Sequence, residues 1–144
     1  MERYEIVLAA PFEKCETDGR RFFFYERLEH CLVLCQKRLF LPHKQLAKLE
    51  NPNPVAESVI RESELVLADI GIPSIAAGIM LQMGIDYTKP IISFRNFNDP
   101  YDGRSDEYLE GALGIARAKR LTYGRDEDGI DIIMSAVKEF YGIR

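Results

Sequence analysis

The sequence predicts a single doubly wound α/β domain, a five-stranded parallel sheet with helices on both faces. Three observations carry this. Short unbroken apolar runs such as Leu65–Ala68 read as strands buried on both sides. Amphipathic stretches of helical period separate them. Gly, Pro and Asn punctuate the joins, with no internal repeat, low-complexity segment or linker. At 144 residues the chain is one domain by length, enough to bury roughly two-thirds of its unfolded surface.

Taken in order, Tyr4–Ala10 reads as the first strand, followed by a loop with Asp18-Gly19 as its turn signal. From Arg20 to Lys37, Phe24, Leu28, Cys31, Leu32 and Cys35 recur at helical spacing. Phe22, Phe23 and Tyr25 widen that apolar surface, an excess that would either cover the sheet edge or form a subunit interface, the interface being the preferred reading. Arg38–Pro42 is a short second strand, with a single helical turn before a Pro/Asn break. Asn53-Pro54 opens a helix through about Arg61, since proline suits a first helical turn.

The stretch from Glu64 to Gly84 organises the rest. Its strand ends in Asp69, Gly71 and Pro73 turn the chain, and Ser74 stands at the N-cap of the helix that follows. Ligands of open α/β sheets bind at the carboxyl ends of strands. A serine at a helix N-terminus suits a phosphate or a hydroxyl-rich ligand. Thr88-Lys89-Pro90 breaks the helix, and Pro90–Phe94 is the fourth strand. A helix over Asp106–Ala118, a strand around Arg120–Tyr123 and a final helix complete the order. Ile130, Ile133, Met134, Val137 and Tyr141 line one face of the last helix, and Asp126, Glu127 and Asp128 favour its N-terminal end.

Composition narrows the function classes. Hydrophobic content of 47% and charged content of 29% are ordinary for a soluble domain. A net charge of −4 with no basic cluster argues against nucleic-acid binding. The N-terminus lacks a basic n-region, and no segment nears the ~20 apolar residues of a membrane span; the expected location is the cytoplasm. Three cysteines make a disulfide framework unexpected. Cys31 and Cys35 beside His30, with His43 as the only other histidine, are better explained as buried small hydrophobes than as metal ligands.

No G-x-G-x-x-G or GK[ST] follows the first strand, which disfavours NAD, FAD and a P-loop; no cofactor is expected. Thr17 alone does not make a hydroxyl-rich flavin loop. A phosphoacceptor domain would need acidic residues at the end of strand one, an aspartate at the end of strand three, which Asp69 supplies, and a lysine after a later strand such as PIISF. Glu13 is displaced and the lysine is missing.

VLAAPF, LVLADIGIPS, the Gly-containing helix start, PIISFR and the final amphipathic helix together resemble the nucleoside 2-deoxyribosyltransferase family, including its deoxynucleoside 5′-monophosphate N-glycosidase branch. The likeness runs from Tyr4 to Tyr141. It implies a flavodoxin-like sheet, a homodimer or larger homo-oligomer, and cleavage or transfer at the bond between deoxyribose and base. It further implies that Asp69 contacts the nucleoside and that Ser74 helps hold a phosphate. Ala10, Pro11, Phe12, Gly78 and Met80 would border the ligand, and Arg20 matches a basic residue serving the phosphate. Asp106 and Glu107 fall where a neighbouring subunit lends a polar residue, though a carboxylate there repels a phosphate.

The chain departs from that pattern at Val7, where the family keeps a tyrosine, and at Ala10, where it keeps a glycine. More consequentially, Met80 stands where the family keeps its nucleophilic glutamate. A thioether neither forms the glycosyl ester nor offsets oxocarbenium charge. Asp69 would then have to support direct attack by water, with Glu13, Glu57, Glu62 or Glu64 as the second carboxylate. The alternatives are a nucleotide-binding protein without catalysis, and an interaction protein working through its aromatic first helix.

Overall fold

The computed structural model describes residues 3–12, 19–99 and 107–144, with only the backbone of Glu107 and Tyr108. Its elements are β1 (Ile6–Ala9), α1 (Gly19–Leu34), β2 (Leu39–Phe40), α2 (Pro42–Gln45), α3 (Asn53–Glu62), β3 (Leu65–Asp69), α4 (Ile75–Asp86), β4 (Ile91–Asn96), α5 (Glu107–Ile115), β5 (Lys119–Tyr123) and α6 (Asp126–Tyr141). All pairings are parallel and the strand order is β2-β1-β3-β4-β5. This is the flavodoxin-like arrangement, whose order reverses between β1 and β3 and opens a crevice beyond their carboxyl ends.

The strands' two-residue period divides the core. Ile6, Leu8, Leu65 and Leu67 face α1 and α6, whereas Val7, Ala9, Val66 and Ala68 face α3, α4 and α5. Parallel strands covered on both sides need apolar residues at every position, hence the unbroken runs. On α6 the predicted apolar face packs against the sheet, and its first turn is acidic as expected.

Several boundaries differ from expectation for one shared reason. Gln36, Thr88 and Arg117 adopt left-handed backbone with φ of 60°, 54° and 53°. The next residue's N–H then returns to a helix carbonyl: Lys37 to Leu32, Lys89 to Gly84, Ala118 to Leu113. These are Schellman closures made without glycine, which is why α1 and α5 stop before Lys37 and Ala118. β4 runs on to Asn96 because its polar end still pairs with β5, Asn96 opposite Tyr123.

One expectation fails in substance. Tyr25 is fully buried and Phe22 packs against the core, leaving only Phe23 of that trio exposed, at 62%. The tyrosine is drawn inward because its hydroxyl has a carboxylate to meet there. Cys31 and Cys35 are free and half-buried against the same core. Among the described residues no three metal-ligating side chains come together, and no helix is long and apolar enough to cross a membrane.

His43 stacks on Phe22 with ring centroids 4.2 Å apart and lies 6.1 Å from Tyr25. Burial lowers its pKa, only partly opposed by Glu26, whose Oε1 is 3.6 Å from Nε2; Lys44 lowers it further and Glu29 raises it. The unfolded chain therefore binds a proton more readily, and stability should fall as pH drops below about 6.5. Urea denaturation at pH 7.5 and 5.5 should show this loss in the native chain and a smaller one in His43→Phe.

Candidate functional site

A cavity of about 760 Å³ lies at the switch point, over the ends of β1 and β3. Small residues on two walls create it. Register sets Ala9 beside Ala68 on the sheet, and α4 answers with Ala76, Ala77 and Gly78. A Cβ added at Gly78 would meet nothing within 4 Å. Glycine inside a helix costs roughly 0.5–1 kcal/mol relative to alanine, so this position gives up helix stability where space is kept.

Ser74 is the N-cap of α4, its Oγ accepting the Ala77 N–H at 3.1 Å, as the sequence predicted. Met80 lies two residues after Gly78 in the cavity wall and is buried among Ala9, Ala68 and Leu81.

Asp69 borders the cavity at the end of β3, with its carboxylate almost wholly enclosed. Oδ2 accepts from the Tyr25 hydroxyl and from a terminal nitrogen of Arg21; Oδ1 accepts the Gly71 N–H at 2.9 Å. Three of a carboxylate's about four acceptor positions are thus taken.

The other terminal nitrogen of Arg21 donates to Asp99 Oδ1 at 2.9 Å, while Asp99 Oδ2 accepts the Asn96 N–H at 2.9 Å. One guanidinium therefore joins α1 to the loops after β3 and β4. Burial disfavours its charge, but Asp69, Tyr25 and Asp99 outweigh that and raise its pKa. Burial raises the Asp99 pKa against the opposing pull of the Asn96 amide and Arg21. Gly71 makes the close approach possible, since a Cβ there would fall 1.9 Å from an Asp99 carboxylate oxygen.

Phe12, Asp69, Ser74, Gly78 and Met80 thus line one cavity. Ala10 and Pro11 are buried immediately before Phe12. Arg20 faces a different cleft, of about 400 Å³, with Arg21, Asp99 and Tyr123. Asp106 and Glu13 lie outside the described residues, and Glu107 opens α5 without a described side chain. None of Glu57, Glu62 and Glu64 lines the cavity. Glu57 accepts from the Tyr87 hydroxyl and Glu64 from that of Tyr141. Asp69 is the only charged residue among its described lining residues.

Sequence reasoning passed over Arg21, Tyr25 and Asp99. A signal existed for two of them: Arg21, Tyr25, Leu28 and Leu32 follow the helical period, which turns Arg21 to the buried face. Asp99 sits in a polar, turn-rich loop that carries no such pattern.

No protein-family description matches the chain, and no curated protein is detectably similar in sequence. Solved structures share its architecture. The CMP N-glycosidase BcmB of Clostridium botulinum superposes with a TM-score of 0.69 at 16% identity, covering 91% of this chain and 98% of that one. A conserved protein from Enterococcus faecalis gives 0.62 at 13% identity, covering 94% and 99%. The TIR domains of the activated Roq1 resistosome give 0.60 at 13%, covering 93% and 99%. The shared property is the fold. It is the flavodoxin-like fold common to a nucleotide N-glycosidase and to TIR domains.

Proposed function

We propose that this chain binds a nucleoside or nucleotide in the switch-point cavity without cleaving it by the carboxylate route of its resembling family. The observation that carries the reading is the pairing of Met80 in the cavity wall with an Asp69 whose oxygens are already engaged. A retaining glycosidase uses one carboxyl group as nucleophile and one as acid, and an inverting one uses a base and an acid. The described wall offers one carboxylate, enclosed and anchored by Arg21 and Tyr25. A CMP N-glycosidase of the same fold supports a nucleotide-type ligand.

Calorimetry with deoxynucleosides and their 5′-monophosphates tests the reading, run beside an assay for released base. Binding without release is expected. Steady release of free base by the native chain would overturn it. Within this reading Ser74 both caps α4 and faces the ligand, so Ser74→Ala should cost about 1 kcal/mol of stability and also weaken binding. A stability loss with unchanged affinity would leave only the cap.

The reading includes self-association through the outer face of α1, where Phe23, Val33 and Leu34 are exposed. Light scattering at micromolar concentration should give at least a dimer mass, and Leu34→Glu should lower it.

A further inference from the structure

We propose that the cavity's ligand carries a hydrocarbon or aromatic substituent beyond its nucleoside core. This rests on the nucleoside-binding reading and adds the chemical class of ligand.

Size is the first argument. At about 760 Å³ the cavity lies in the upper part of the roughly 300–1,000 Å³ range of drug-sized ligand sites, well beyond what a bare nucleoside fills. The second is chemistry. Apart from Asp69, Ser74, Asn53 and Gln82, the described lining is apolar, including Leu46, Ala56, Met80 and Ile85. A nucleoside is ringed with donors and acceptors, and each one buried without a partner weakens binding. The polar groups present serve one small polar moiety, while most of the wall rewards apolar area. The third is the mouth. Ile75 and Ile79 line the cavity yet stand 82% and 38% exposed. An apolar arm passing from the interior over these isoleucines would cover surface that a bare nucleoside leaves in water.

The gain should follow methylene burial, about fourfold in affinity for each CH₂ fully enclosed. Titration calorimetry should compare deoxyadenosine with its N6-hexyl and N6-benzyl derivatives, and with hexylamine alone. The expected result is at least tenfold tighter binding of both derivatives than of deoxyadenosine. Ile75→Asn, an exposed change that folding tolerates, should reduce that ratio several-fold. Equal affinity of parent and derivatives would overturn the inference and leave nucleoside binding standing. Binding of neither parent nor derivatives, or of hexylamine as tightly as of hexyl-deoxyadenosine, would overturn the nucleoside reading and the inference with it.

Discussion

Replacing Arg21 with leucine should destabilise the fold by about 3–5 kcal/mol, the usual result of removing one partner from a buried ionic cluster. The guanidinium is the cation that joins Asp69 to Asp99, and all three side chains are largely enclosed. Its loss leaves two buried carboxylates facing each other and the loops after β3 and β4 without their link to α1. Burial already raises the Asp99 pKa, and Arg21 opposes that rise; without it the folded-state pKa climbs further above the unfolded one. A carboxyl group raised in the folded state stabilises that state when protonated. The variant should therefore regain stability as pH falls through the raised Asp99 value, and the native chain, where Arg21 limits the rise, should show a smaller recovery. Urea denaturation at pH 7.5 and 5.0 measures both effects. Adding Asp99→Asn to the variant should restore part of the loss at pH 7.5. A cost below 1 kcal/mol would mean that the cluster is solvated and not a structural clamp.

Met80→Glu should have the largest effect on chemistry. Met80 is buried in an apolar cluster, so a glutamate there loses hydration when ionised and should destabilise the fold at pH 8 by a few kcal/mol, less at pH 5. The same desolvation raises its pKa, and the carboxylate forms only at the upper end of the pH range. If the cavity holds a deoxyribosyl group as proposed, the new carboxylate stands where the resembling enzymes keep their nucleophile. Base release should then rise with pH above the rate of the native chain, which the proposed reading expects to be negligible, each tenfold gain reporting about 1.4 kcal/mol of transition-state stabilisation. Met80→Gln, similar in size but unable to attack, should give no release and serves as the control. Steady turnover by the native protein would refute the account of Met80 as a lost nucleophile. Turnover by the Gln variant equal to that of the Glu variant would refute the carboxylate's part in it.

Much of the architecture was legible because its causes are local. The apolar runs of β1 and β3, the Ser74 cap and the inward stripe of α6 each follow from periodicity or from one residue's hydrogen-bonding capacity. The candidate site was legible only in part. Ser74, Gly78 and Met80 belong to one helix and share a wall with the end of β3, so the linear sequence already groups them. Of the two arginines that open α1, the sequence drew attention to Arg20. The fold instead turns Arg21 towards Asp69, because the helical period that buries Tyr25, Leu28 and Leu32 carries Arg21 on the same side.

By itself, then, the sequence determined the strand and helix order and the doubly wound class. These depend on residue identity and on neighbours a few positions away. Only the tertiary structure decided that Asp69 is an anchored carboxylate, that Asp99 shares its guanidinium, and that Ala9 and Ala68 leave a cavity against α4. The physical reason is separation along the chain. Asp69 meets partners 48 and 44 residues away in Arg21 and Tyr25, and Arg21 reaches 78 residues to Asp99. Strand register and helix placement bring such groups together, and no local pattern encodes their distance.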